Sequence, residues 1–130
     1  ADIEKPWKWV KDGSAEYIFI KDGFEHLTDL SAFLERASHA LAKGGILEIH
    51  VPHYKSPSAY RVTHKHFFSW NMFSVFPEPH DSVQTLRVVQ NKLIIDPKIG
   101  PLNGIANIFP RFFEKVFPYI SGIHVKMMKK

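Results

Sequence analysis

The sequence of 130 residues predicts an α/β fold. Three observations carry this: a β-branched and aromatic run at residues 16–20, an amphipathic helical stripe after it, and an apolar run at residues 46–51 behind a glycine pair. Strand, helix and strand within about 36 residues is the spacing of a parallel crossover. Further on, the pattern continues as loop, short helix, strand, helix and strand, an alternation typical of α/β domains.

Each element has its own warrant. Residues 1–14 set Pro6, Asp12, Gly13 and Ser14 around Trp7 and Trp9, which predicts an irregular segment ending in a turn. Glu16-Tyr17-Ile18-Phe19-Ile20 shows no clean alternation, as expected of a strand buried on both faces. Leu30, Phe33, Leu34, Ala37 and Leu41 then share one helix face. Thr28 or Asp29 can cap that helix, and Gly44 with Gly45 can end it. Ile46 to Val51 reads as a strand stopped by Pro52. Residues 53–68 form a long loop rich in His, Tyr and Lys, and loops after a parallel strand's carboxyl end commonly carry function. Ser69 to Phe76 suits a short helix closed by Pro77 and Pro79. Residues 86–95 suit a strand with a bulge or turn near Gln90-Asn91. Phe109, Phe112, Phe113, Val116 and Phe117 put a second apolar stripe on a helix over 104–119, expected to face the core. A last strand runs from Ile123 to Met128.

Composition excludes several classes. The hydrophobic fraction of 45% and charged fraction of 23% are those of a globular domain. A net charge of +4 is mild, and no nucleic-acid motif accompanies it, so no nucleic-acid partner is expected. Lys126, Lys129 and Lys130 read as a solvated end. There are no cysteines, which removes disulfides, thiolate metal sites and a thiol nucleophile. No run of about 18 apolar residues occurs, and the polar start carries no signal-peptide pattern, so a cytoplasmic protein without a membrane partner is expected.

Asp12-x-Ser14, Phe24-Glu25-His26-Leu27 and Leu41-Ala42-Lys43-Gly44-Gly45-Ile46-Leu47, in that order and spacing, resemble the second half of class I methyltransferases that use S-adenosylmethionine. Val51-Pro52-His53-Tyr54, Thr63-His64-Lys65-His66-Phe67-Phe68 and Phe109-Pro110-x-Phe112-Phe113-Glu114-Lys115 are similar to one subgroup of that family. The resemblance covers essentially the whole chain. It implies a partial Rossmann-like methyltransferase sheet: two parallel strands with their crossover helix, then C-terminal antiparallel strands. In the family's sheet order, 3-2-1-4-5-7-6, this chain would supply strands 4, 5, 7 and 6. The family's N-terminal strands and G-x-G-x-G loop have no counterpart, because no such spacing occurs among Gly13, Gly23, Gly44, Gly45, Gly100, Gly104 and Gly122. Ala42 also replaces the proline of the family's K-P-G-G, and Glu16 stands for its aspartate.

The resemblance implies S-adenosylmethionine as cofactor, with Asp2 and Ile3 on the adenine side and Lys21, Asp22 and His26 at the sheet's carboxyl end lining the cofactor pocket. Glu25 and His26 otherwise suit capping at the start of the helix. Trp7 and Trp9 suit either a lid over the adenine or cover for the core. His53 and His64 are the candidate catalytic groups, and Tyr54 and Tyr60 the candidate contacts to a small-molecule acceptor; packing and capping within the loop is the competing role. A base is needed only when the acceptor must lose a proton. His50, His53, His64 and His66 could offer imidazoles to a metal, but residues 50 and 53 point to opposite faces of a strand and no carboxylate lies near in sequence. No metal site is therefore expected. Without a first strand beside it, the strand at 16–20 becomes an open edge, which favours self-association or pairing with a missing N-terminal half. Two functions compete: a methyltransferase or fragment of one, inactive as this chain alone, and a non-catalytic interaction module using that edge.

Overall fold

The computed structural model describes residues 2–96, 98 and 102–130. Strand β1 is Ala15–Lys21, helix α1 Leu30–Ala40 and strand β2 Leu41–Pro52. A 3-10 turn at Pro57–Tyr60 interrupts the long loop, and helix α2 is Trp70–Ser74. Strand β3 is Leu86–Ile94, helix α3 Asn103–Ile108, helix α4 Pro110–Val116 and strand β4 Gly122–Lys129. The sheet order is β1-β2-β4-β3, with β1 parallel to β2 and β4 antiparallel to both its neighbours. That is the 4-5-7-6 arrangement expected from the resemblance.

Local chemistry explains the ends of α1. Asp29 caps it, its Oδ1 accepting the Ala32 N–H at 2.9 Å. The expected glycine ending is corrected: α1 stops at Ala40, and Leu41 is already extended. Gly44 and Gly45 instead shape a bulge, since Ala15 pairs with Leu41 but Tyr17 pairs with Ile46. Gly44 takes φ 79°, and a Cβ on Gly45 would stand 2.9 Å from the Ala42 carbonyl oxygen. The bulge draws β2 into register with β1 at the level where their side chains reach the core.

One face of the sheet is covered. Ile20, Leu47, Ile49, Val51, Ile123, Val125 and Met127 bury themselves there against Phe24, Phe33, Leu34 and Phe68. The opposite face carries Tyr17, Phe19, Glu48, His50, His124 and Lys126, so β1 alternates between a buried and an exposed side. The expectation of a strand buried on both faces is thereby corrected: nothing among the described residues packs over Tyr17 and Phe19. The bulge or turn expected at Gln90-Asn91 lies slightly earlier, at Val89, between the Val88 and Gln90 pairings, and Gln90 and Asn91 are themselves paired with β4.

The helix expected over 104–119 is two helices. The chain breaks at Phe109, with φ −127° and ψ 61°, because Pro110 disfavours a helical residue before it. The break turns most of the aromatic stripe outward. Phe109 and Phe112 are exposed, and only Phe113 and Phe117 lean on the core, stacked at 4.5 Å. No helix among the described residues is long and apolar enough to cross a membrane.

Candidate functional site

At the carboxyl ends of β1 and β2, two loops close on each other. Residues 22–28, with a 3-10 turn at Phe24–His26, meet residues 61–68. Aromatic rings anchor both from below: Phe33, Phe24, Phe68 and Phe73 contact in series at centroid distances of 5.7, 5.5 and 5.9 Å. Hydrogen bonds clasp them from above. The Lys65 N–H donates to the Glu25 carbonyl at 2.9 Å, Lys65 Nζ reaches Thr28 Oγ1 at 2.9 Å, and His66 Nε2 donates to the Leu27 carbonyl at 2.7 Å. At the start of this turn Asp22 takes φ 53°, a left-handed conformation that few non-glycine residues adopt.

A pocket opens between these loops, lined by Asp22, Glu25, His26, Pro52, Ser58, Arg61 and His64. Glu25 is its floor and is only 1% exposed. His26 Nδ1 donates to the Thr63 carbonyl at 3.0 Å, and His64 Nδ1 donates to the Ala59 carbonyl at 3.2 Å. These bonds place the proton of each neutral ring on Nδ1 and leave the Nε2 lone pair facing the pocket floor. Each Nε2 lies 3.9 Å from Glu25 Oε1, beyond hydrogen-bond distance. Glu25 Oε2 is buried without any partner among the described residues.

A second histidine–carboxylate pair lies across the long loop. His53 is 0% exposed. Its Nδ1 accepts the Lys55 N–H at 3.0 Å, so its proton sits on Nε2, which donates to Glu114 Oε1 at 2.7 Å. Glu114 also takes the first free N–H groups of α2, from Trp70 at 2.6 Å and Asn71 at 3.3 Å. Those backbone donors are the orphans at a helix N-terminus, and a carboxylate satisfies them well. Burial pushes the Glu114 pKa up, but hydrogen bonds from His53, Trp70 and Asn71 outweigh it and hold the carboxyl below its ordinary range. Lys55 ties the C-terminal end of α4, donating to the Phe117 carbonyl at 2.9 Å and to the Glu114 carbonyl.

The residues singled out from sequence divide between several places. Asp22, His26 and His64 line the pocket together. Lys21 is exposed at the end of β1, in register with His50. Asp2 is exposed, and its Oδ1 accepts the Glu4 N–H at 2.9 Å. Ile3 lines a different hollow along the β1 edge, under Trp7 and Trp9. Trp7 donates to the Ile3 carbonyl at 3.0 Å and meets Phe33 edge-on at 5.5 Å, while Trp9 is largely exposed. Tyr54 lies over His53 at 4.5 Å; partial burial, then the charge of Glu114 and the neighbouring Tyr60, raise its phenol pKa. Tyr60 is exposed beside Phe67, at 5.2 Å.

The four histidines weighed together for a metal do not converge. His50 stacks on His124 at 3.4 Å and binds Glu48, His53 binds Glu114, and His66 binds a backbone carbonyl. Sequence reasoning passed over Glu114 and gave Glu25 only as a capping candidate beside His26. Glu114 left no periodic signal, since it lies off the stripe of Phe109, Phe112, Phe113, Val116 and Phe117. Glu25 had only its neighbour His26.

No family model and no curated protein matches the chain. Solved structures do. A chain of the Haloferax volcanii complex between the Trm112 methyltransferase activator and a methyltransferase-type protein matches with TM-score 0.62 and 17% identity, over 99% of this chain and 59% of that one. An S-adenosylmethionine-dependent methyltransferase of Archaeoglobus fulgidus matches with TM-score 0.63 and 15% identity, over 100% of this chain and 66% of that one. This chain has part of a class I methyltransferase fold. The [4+2]-cyclase SpnF shares that fold with it at TM-score 0.63 and 9% identity, over 99% of this chain and 54% of the cyclase. The chain therefore spans between about half and two thirds of the methyltransferase-type structures it matches. A fold shared by methyltransferases and a [4+2]-cyclase serves more than one chemistry, so the site must decide the function.

Proposed function

We propose that this chain is the acceptor-side half of an S-adenosylmethionine-dependent methyltransferase domain, inactive by itself. The observation that carries the proposal is the β1-β2-β4-β3 sheet, in which a reversed β4 lies between β2 and β3, matched over the whole chain to methyltransferase structures. The sheet's open β1 edge, with Tyr17 and Phe19 bare on one face, supports pairing with the strands and glycine-rich loop that hold the cofactor. Such a half is supplied either by sequence outside this chain or by a partner. In the Haloferax volcanii complex, too, a methyltransferase-type protein is assembled with a second chain.

In this reading Lys21, Asp22 and His26 border the cofactor at the sheet's carboxyl end. His64, at the pocket, contacts the acceptor or takes its proton, and Tyr54 and Tyr60 border the acceptor's approach. His53, wholly enclosed, positions the loop through Glu114. Methyl transfer from a sulfonium depends mostly on alignment and exclusion of water, so a pocket set between two clasped loops suits it.

The test is calorimetric titration with S-adenosylmethionine, and transfer of a labelled methyl group, on this chain and on the chain extended by the sequence preceding it in its gene. Binding weaker than about a millimolar by the chain alone, together with tight binding by the extended chain, is expected. Tight binding by the chain alone overturns its role as half a site. Failure of both to bind, with the chain forming stable pairs through β1, favours the competing reading of an interaction module.

A further inference from the structure

We infer that Glu25, His26 and His64 form a site for a divalent transition-metal ion. One donor atom from each lies within 4.8 Å of the other two. Three features point to a cation there, each independent of the methyltransferase reading; with an ion on its Nε2, His64 would meet an acceptor through the ion and not as a free base.

The first is an unmet charge. Glu25 is 1% exposed, its Oε2 has no partner among the described residues, and the two imidazoles facing Oε1 stand 3.9 Å away, beyond hydrogen-bond distance. A carboxylate removed from water without hydrogen bonds or a counter-charge is costly. The neighbours that face it are the Nε2 atoms of His26 and His64, whose Nδ1 atoms are held by backbone carbonyls. As neutral rings they would offer lone pairs to the same space as the carboxylate, and a cation between the three satisfies all of them.

The second is the orientation of the rings. Metal-binding histidines generally donate their other N–H to a carbonyl or carboxylate, which fixes the tautomer and aims the lone pair. His26 does this through Thr63 and His64 through Ala59, from two loops locked together by the Lys65–Glu25 and His66–Leu27 bonds. The rings stand edge to face at 4.6 Å, so their lone pairs converge without stacking. Donors around a tetrahedral ion at ~2.1 Å stand ~3.4 Å apart. The 3.9 Å gaps from each Nε2 to Glu25 close to that value by small side-chain rotations.

The third is the shape of the donor set. Two imidazoles and one carboxylate match sites for Zn²⁺, Fe²⁺ or Co²⁺ that keep open positions for an exogenous ligand. One carboxylate is too little oxygen for Ca²⁺. The open side faces the pocket mouth, where Asp22, Ser58 and Arg61 stand. An ion there accepts a small oxygen-donor ligand, a deprotonated hydroxyl or a carboxylate, with the Arg61 guanidinium as a second cation near it.

The test is titration of the metal-free chain with Zn²⁺ by calorimetry and with Co²⁺ by its visible absorption. We expect one ion per chain with a dissociation constant of about 10 micromolar or tighter, and a melting temperature that rises with added Zn²⁺. Glu25→Gln and His26→Ala each weaken binding at least tenfold, whereas His80→Ala and His50→Ala leave it unchanged. His26 has a side chain 39% exposed, so His26→Ala tests the site even if a change at Glu25 disturbs folding. Binding weaker than about a millimolar, or an affinity that His26→Ala leaves intact, overturns the site.

Discussion

Two buried glutamates face histidines in this chain, and they are treated in opposite ways. Glu114 accepts a hydrogen bond from His53 and two from the start of α2, so every charge-bearing oxygen has a donor. Glu25 faces two histidines at 3.9 Å and has an oxygen with no partner among the described residues. The same residue types, about equally withdrawn from water, thus give a closed network in one place and an open one in the other. A satisfied network holds the loop and α2 to α4. An unsatisfied one stores a demand that a ligand can meet, and it lies where two loops form a pocket mouth.

The contrast can be broken experimentally, and the largest effect is expected at the closed network. Glu114→Ala removes the acceptor of three donors and should cost about 3–4 kcal/mol in denaturant unfolding, with the amides of Trp70 and Asn71 exchanging faster. A loss below about 1 kcal/mol would show that the network is not cooperative. His53→Ala should cost about 3 kcal/mol, because it strands a buried carboxylate and opens a cavity beside Tyr54.

Acid provides the next test. The Glu114 pKa is depressed in the folded chain, so its contribution is full above the unfolded carboxyl value of about 4.3. It is lost as pH falls through the lower, folded value. Wild-type stability should therefore decline steeply below about pH 4.3, and Glu114→Gln should flatten that part of the profile. An unchanged profile would assign the acid sensitivity to other groups.

His66→Ala, which deletes one hydrogen bond between the clasped loops, should cost about 1 kcal/mol. The smallest effect belongs to the open cluster. Glu25→Gln should leave stability in metal-free buffer unchanged or raise it by about 1 kcal/mol, since it replaces a buried carboxylate whose Oε2 has no hydrogen-bond partner among the described residues. A destabilisation as large as that of Glu114→Ala would erase the distinction between the two sites.

The sheet shows a related contrast. Its helix-covered face follows the apolar alternation of β2 and β4, with Leu47, Ile49, Val51, Ile123, Val125 and Met127 buried. The open face carries Tyr17, Phe19, His50 and His124, where burial and the neighbouring His50 lower the His124 pKa. β1 looked two-sided in sequence because its exposed positions are aromatic. Only the absence of a covering layer among the described residues separates the two sides.

Periodicity and turn chemistry determined the crossover, a helix cap at Thr28 or Asp29 and the positions of the four strands, because those depend on residues near one another in the chain. The resemblance supplied the order in which the strands lie. Local pattern went wrong where a single residue outweighed it: Pro110 split the last helical stripe, and Gly44-Gly45 shaped a bulge rather than a helix end. The two glutamate sites were settled by tertiary structure alone. Glu25 and His64 are brought together by a fold that lays one loop on another, and Glu114 meets His53 from the far end of the chain. Whether a buried carboxylate is satisfied depends on donors that arrive from distant segments, and no local window of sequence contains them.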